Sequence, residues 1–205
     1  MMQQKLLHLS GIAFVLLVLV SIGIAGSTPG TDESAAEVAS FYNDDEFRQF
    51  VVSFMFAATV PFLVLFAVGL GRLLSSAWSQ VAVAGAILAG SAILATSAIH
   101  FALSDAASNQ VAADAVLALN ALDGSTWVAY NAGLGVMMLG AAGVFLGGSV
   151  QRWLGWIALV LGVALFVPFA DFVALLLTLV WIVVTSVLLA RGKPETASVA
   201  APGTA

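Results

Sequence analysis

Five polar residues able to support acid–base or ligand chemistry stand in or beside the most apolar segments of this chain. They are His100, Asp105, Asp123, Asn131 and Asp171. Histidine changes charge near neutral pH and binds metals, and carboxylates are its common partners in both roles. The predicted order and orientation of the membrane spans bring all five toward the outer half of the molecule. The sequence therefore predicts that they could form a small polar pocket there.

Each of the same residues also has a purely structural explanation, and the sequence leaves both open. Asp171 could cap a helix, Asn131 could hydrogen-bond a neighbouring helix, and His100 could lie where headgroups and water reach it. No two of the five are spaced four apart on one helix, and no HExxH-type metal pair occurs. The sequence predicts no catalytic residue, no cofactor and no metal site, and an enzyme is not expected.

The composition places these residues in a membrane protein. Hydrophobic residues make up 61% of the chain and charged residues 8%, whereas a soluble domain is about 45–50% apolar and about 25% charged. The mean hydropathy is +1.09. The chain has no cysteine, which excludes disulfides, thiolate nucleophiles and Cys-ligated metals. An all-α integral membrane bundle embedded in the lipid bilayer is therefore predicted.

Six apolar stretches are long enough, or nearly so, for the roughly 20 residues that a bilayer crossing requires. The last two are separated only by Pro168-Phe-Ala-Asp171, where a helix breaker and a new cap predict a tight hairpin. Residues 1–193 would form one six-span domain, and residues 194–205 a disordered cytoplasmic tail. The predicted spans are 6–26, 50–70, 81–103, 127–147, 153–170 and 172–190.

The basic residues predict the orientation of these spans. With six crossings, all of them except Arg48 fall on one face, which the positive-inside rule assigns to the cytoplasm together with both termini. All acidic residues except Glu195 fall on the opposite, outer face. The first apolar segment also resembles a secretory signal peptide cleaved near Ser27, which remains an alternative. The basic residues on the cytoplasmic face are Lys5, Arg72, Arg152, Arg191 and Lys193.

An acidic stretch precedes the second span. Asn43 is a suitable N-cap, and Glu46 follows at the spacing of a capping box, so a helix is predicted to begin here at the outer interface. The alternative is that Asp44, Asp45 and Glu46 bind a hard cation, although the glycine-punctuated loop of a calcium hand is absent. The preceding Val38, Phe41 and Tyr42 are expected to share a face directed at the membrane surface.

The second outer loop, residues 104–126, is predicted to contain an interfacial helix, with a lid over a cavity as the alternative. Its expected apolar stripe is formed by Val111, Ala115, Leu119 and Leu122, with Asn109 and Asn120 elsewhere on the helical wheel. Within span 2, Pro61 removes one amide donor, which predicts a kink near the centre of that helix.

The second half of the chain resembles a known group of proteins. The stretch YNAGLGVMMLGAAGVFLGG followed by RWLGWIALVLGVALFVPF is similar to small multi-pass membrane proteins, common in actinobacteria, that are catalogued as domains of unknown function. The resemblance covers roughly residues 37–190, including the Tyr130-Asn131 pair and the turn at residues 152–155. It implies a helical bundle in a bacterial plasma membrane and carries no catalytic residue across.

Two functions are compatible with this sequence. The first is a non-enzymatic scaffold or partner-binding protein, whose partner would be another membrane protein. The alternative is a small-solute or ion transporter or channel that uses the polar pocket in the outer half of the bundle, around His100 and Asp171. A lipid-modifying enzyme would need an acid–base or metal constellation on facing helices, which the spacing does not provide. The sequence has no basic patch for nucleic acid.

Overall fold

The computed structural model describes residues 2–73, 76–148 and 151–191 of the chain. Over these residues the chain forms eight α-helices and no β-strand, so the predicted all-α class is confirmed. The predicted tail, 194–205, and Lys193 lie outside the described residues. The helices are α1 (Met2–Ala25), α2 (Ala35–Asp44), α3 (Glu46–Gly71), α4 (Ala77–Ser108), α5 (Ala113–Ser125), α6 (Trp127–Gly147), α7 (Arg152–Ala164) and α8 (Asp171–Arg191).

Five helical stretches of the described chain are long and apolar enough to cross a membrane. They are α1 from Gln3 onward, α3, α4, the combined stretch of α5 and α6, and α8. Many of their large apolar side chains are exposed, which in lipid carries no penalty. Pro61 lies inside α3, which continues to Gly71, and the kink expected there stays a prediction.

The fifth predicted span, 153–170, is only partly helical. The α-helix α7 has 13 residues and ends at Ala164, earlier than the break expected at Pro168. Turns follow, with amide-to-carbonyl bonds from Phe166 to Val163 and from Val167 to Ala164. Proline disfavours helical geometry in the residue before it, so the chain leaves the helix ahead of Pro168. Asp171 is the first residue of α8 and is buried.

Glycine contacts show which helix ends lie together. Gly69, near the end of α3, packs against Leu7 near the start of α1, and Gly143 of α6 packs against the Trp78 indole at the start of α4. Gly11 of α1 packs against the second half of α8. Lys5, Arg72, Arg152 and Arg191 flank these helix ends, which together we call the basic end of the bundle. The opposite end, where α2 and α5 lie, is called the acidic end.

The helices α4 and α6 pack with their backbones in contact. A methyl group on Gly133 or Gly140 of α6 would overlap the backbone of Ala89 or Ala82 of α4, and one on Gly85 of α4 would overlap Met137. Small residues at such positions allow membrane helices to approach closely. This contact holds the centre of the bundle and fixes α4 beside α6.

The acidic stretch folds differently from its prediction. A capping box begins α2 at Ser34, whose hydroxyl accepts from the Glu37 amide while the Glu37 carboxylate accepts from Ser34. Hydrogen bonds from Ser34 lower the pKa of Glu37. Because α2 starts here and runs to Asp44, Asn43 lies inside it, and the N-cap predicted at Asn43 is wrong. Asp45 precedes α3 and pairs with Arg48, whereas Glu46 occupies the first turn of α3 as expected.

The predicted stripe of the second outer loop is also wrong. The helix α4 continues to Ser108, and α5 buries Val116 and Asn120 while Val111 and Leu122 stay about half exposed. The extra turns of α4 present apolar side chains that α2 and α5 cover. We call the resulting group the cap cluster, formed by Val38, Tyr42, Leu103, Ala107 and Val116. Val38 and Tyr42 therefore face inward rather than toward the membrane surface.

Candidate functional site

His100 lies under the helices of the acidic end, with both ring nitrogens in hydrogen bonds. It is 7% exposed, its Nδ1 is 3.0 Å from Oδ2 of Asp123, and its Nε2 is 3.0 Å from Oε1 of Gln49. Asp123 comes from the last turn of α5 and Gln49 from the first turn of α3. Three helices thus meet at one imidazole.

The amide of Gln49 presents its oxygen to this imidazole. Its Nε2 donates to the carbonyl oxygen of Ala25 at 3.4 Å, which directs Oε1 toward His100. The two ring nitrogens thus face oxygen atoms of two different side chains, Oε1 of Gln49 and Oδ2 of Asp123. The ring is held from α3 on one side and from α5 on the other.

Tyr42 closes the same site from α2. Its ring lies edge-on to the His100 ring, with 5.5 Å between centroids. The Tyr42 hydroxyl and Oδ1 of Asp123 are both buried without a hydrogen-bond partner among the described residues. Burial, and secondarily the charge of Asp123, raise the pKa of the Tyr42 hydroxyl, so the phenol stays neutral. The site thus holds one unused donor and one unused carboxylate oxygen.

A cavity of about 240 Å³ lies beside this pair, and we call it the His100 pocket. Four of its hydroxyl groups donate to their own helices, among them Ser21 to Leu17 at 2.7 Å and Thr96 to Ala92 at 3.0 Å. Because these hydrogens are engaged, the oxygen lone pairs remain available to a ligand. Ser53 and Ser97 bond their helices in the same way. The polar residues that line the pocket are Ser21, Thr28, Ser53, Thr96, Ser97, His100 and Asp123.

A second buried polar pair joins α6 to α8. Asn131 is 2% exposed and Asp171 is 5% exposed, and Nδ2 of Asn131 donates to Oδ2 of Asp171 at 3.5 Å. The amide oxygen of Asn131 has no hydrogen-bond partner among the described residues. This pair lies on helices that do not carry His100 or Asp123.

The five residues predicted to form one pocket are thus distributed over three places. His100 and Asp123 meet in the first pair, and Asn131 and Asp171 form the second. Asp105 lies apart: it is exposed and holds the side chain of Asn109 at the end of α4. Five residues beyond His100, it points to a different side of the helix. Asp105 therefore does not belong to the pocket.

Sequence reasoning missed Gln49 and Tyr42. Gln49 is fully buried at the start of an apolar helix, where an amide is normally taken for an interfacial residue. The contact between Gln49 and His100 cannot be seen in the sequence, because 51 residues separate them. Tyr42 was placed at the membrane surface because the cover formed by α5 is not evident from composition.

Among the described residues, no group of three or more His, Asp or Glu side chains is arranged to hold a metal ion. Of the acidic stretch proposed as an alternative cation site, Asp45 is engaged with Arg48. The His100 pocket itself presents hydroxyl oxygens, the His100 ring and the Asp123 carboxylate, all of which can form hydrogen bonds.

Comparison with known proteins adds no family to these observations: no protein-family model, curated protein or solved structure matches the chain. The fold and site define a class only, that of helical proteins with several helices able to cross a membrane and a buried polar pocket near one end. The resemblance to small actinobacterial membrane proteins stays a prediction.

Proposed function

We propose that the chain is a multi-pass protein of a bacterial plasma membrane that crosses it six times. The start of α1 and the end of α8 would both lie on the cytoplasmic side. The clustering of Lys5, Arg72, Arg152 and Arg191 at the basic end supports this orientation, because basic residues are enriched on the cytoplasmic side. The crossing that is fifth in chain order would be made by α7 together with the turns that follow it. A 13-residue helix is about 20 Å long, and residues 165–170 extend it toward the outer interface.

Within this bundle, the His100 pocket is proposed to bind a small polar solute from the outer side, in the manner of a transporter or channel. The observation that carries the proposal is the buried His100–Asp123 pair beside a cavity rich in hydroxyl groups. Ionisable groups are costly at membrane depth and mark ligand or ion pathways in other membrane proteins.

The lining indicates which solutes fit. Four hydroxyl groups have their hydrogens engaged with helix carbonyls, and Oδ1 of Asp123 has no partner within the described ranges, so the wall of the pocket mainly accepts hydrogen bonds. A ligand that donates, such as a small amine or ammonium ion, complements such a wall. An anion would meet the Asp123 carboxylate and the hydroxyl lone pairs.

The test is binding of methylammonium to the purified full chain in nanodiscs. We expect saturable binding that falls about tenfold or more in Asp123→Asn, because a charge-assisted hydrogen bond contributes about 1.5–3 kcal/mol. Asp105→Asn is the matched control: it removes the same charge from an exposed site and should bind like wild type. Equal binding by both variants, or none by wild type at any concentration up to saturation of the method, would contradict the proposal.

The scaffold or partner-binding role expected from the sequence is the competing proposal. It predicts that a second membrane protein co-purifies from native membranes in mild detergent, and that Asp123→Asn leaves this association intact. Loss of methylammonium binding without loss of a partner would favour the solute site.

A further inference from the structure

A second cavity lies next to the His100 pocket, and we call it the lateral cavity. Its volume is about 440 Å³, within the roughly 300–1,000 Å³ of ligand sites. Ile22 and Phe56 line both cavities, which places them side by side. Nearly all of its wall is apolar, contributed by α1, α3, α4, α6 and α8.

The lateral cavity has a buried end and an exposed rim. Phe14, Ile93 and Leu134 at the buried end are 2–3% exposed. At the rim, Ile22 is 56% and Phe172 is 65% exposed. The rim residues belong to α1 and α8, whose other ends touch at Gly11. The cavity therefore opens on the side of the bundle, where the exposed residues of α1 and α8 form its rim.

One buried polar atom of this wall, the amide oxygen of Asn131, has no hydrogen-bond partner in the described part of the chain. Asn131 lines the lateral cavity, and its Nδ2 is directed to Asp171. Its Oδ1 is buried and has no hydrogen-bond partner among the described residues. An unpaired carbonyl oxygen in apolar surroundings is costly, so a ligand that donates a hydrogen bond at this point is favoured.

We propose that the lateral cavity binds one chain of a membrane lipid that carries a free hydroxyl group. The hydrocarbon chain would occupy the apolar wall, and the hydroxyl would donate to Oδ1 of Asn131. Lipid surrounds the rim if the helices stand in a bilayer, so the chain enters sideways without crossing water. This site goes beyond the proposed solute site and depends on the membrane location alone. The Asp171 carboxylate engages Nδ2 of Asn131, which leaves Oδ1 as the amide atom that a ligand could satisfy.

The experiment uses a monoacylglycerol with a photoactivatable diazirine in its acyl chain, added to the full chain in nanodiscs. We expect cross-links on the α6 and α8 peptides that contain Leu134 and Leu179, which line the lateral cavity. Leu176→Trp should reduce this labelling about tenfold, because the indole would fill the cavity. Leu177→Trp is the control, since Leu177 is its neighbour, is similarly exposed and does not line the cavity.

The hydroxyl is tested by competition in the wild-type chain, which avoids any folding defect. Monooleoylglycerol should displace the probe about fivefold more effectively than methyl oleate, which has no donor, as expected for one hydrogen bond of ordinary strength. Equal competition would overturn the role of Asn131, and equal labelling of the two tryptophan variants would overturn the site. Methylammonium binding is measured in parallel, so that failure here is distinguished from failure of the solute site.

Discussion

Gln49 shows how much a single buried amide determines at the acidic end. It connects α1 to α4 by donating to the Ala25 carbonyl and accepting from His100. Because an amide has distinct donor and acceptor ends, the bond to Ala25 leaves the oxygen of Gln49 as the atom that meets Nε2 of His100. An apolar residue of similar size would fill the same space without bonding either partner.

We expect Gln49→Leu to lower the free energy of unfolding by about 1–3 kcal/mol, because it leaves a ring nitrogen of His100 and the Ala25 carbonyl without a partner. The measurement is thermal or denaturant unfolding in detergent. Gln80→Leu is the control, since Gln80 is exposed on α4 and its side chain should contribute little. A loss at Gln49 no larger than at Gln80 would show that the amide does not hold His100.

At the scale of helices, the contact between α4 and α6 leaves no room for larger side chains at its glycine positions. Gly133 and Gly140 each place a Cα hydrogen where any side chain would meet the backbone of α4. They lie seven residues apart, which keeps both on the face that packs against Ala89 and Ala82. Repacking of side chains cannot relieve such an overlap, because the atoms in the way belong to the main chain.

Gly140→Ala is therefore expected to destabilise the bundle by about 1–3 kcal/mol, in the range of overpacking mutations. Unfolding in detergent, followed by loss of helical circular dichroism, measures the change. Gly23→Ala is the matched control because Gly23 is also helical and has open space around its Cα. Alanine has the higher helix propensity, so this control should be neutral or slightly stabilising. A similar loss in both variants would exclude the backbone contact as the cause.

The helices were predicted better than the way in which they cover one another. Apolar length predicted the location of α1, α3, α4, α6 and α8, since each is a long apolar run with few charged residues. The ends were less accurate: α4 continues past 103 because the cap cluster gives its last turns apolar partners. Asn43 failed as a cap because Ser34 starts a helix one element earlier.

The pocket was predicted only in part, for a related reason. His100 and Asp123 were singled out because a charge is rare in apolar segments, and that signal can be read from composition. Gln49 and Tyr42 could not be found in this way, because their roles depend on tertiary contacts between α1, α2 and α4. The separation of Asn131 and Asp171 into a pair of their own also depends on helix order in the bundle.

At the scale of the whole molecule, charge is sorted between the two ends of the bundle. The acidic end carries α2, α5 and most carboxylates, whereas Arg72 and Arg152 flank helices at the basic end. Such a distribution gives the proposed orientation a direct test, because the chain has no native cysteine to give background labelling.

We expect a single cysteine in place of Asp114, which is exposed on α5, to react with a membrane-impermeant maleimide in intact cells. Leu73→Cys, at an exposed position just after the end of α3, should react only after the cells are opened, because the positive-inside rule places this end in the cytoplasm. Labelling is read as a mass shift on gels. The reverse pattern would invert the orientation, and labelling of both sites in intact cells would contradict a membrane-spanning arrangement.

The cap cluster has a consequence for local unfolding at the acidic end. Tyr42 and Val116 belong to two helices that rest on the same upper turns of α4, so neither can move away without exposing apolar side chains of its neighbour. Local unfolding of α2 and of α5 is therefore coupled, and we expect the two helices to behave as one cooperative unit.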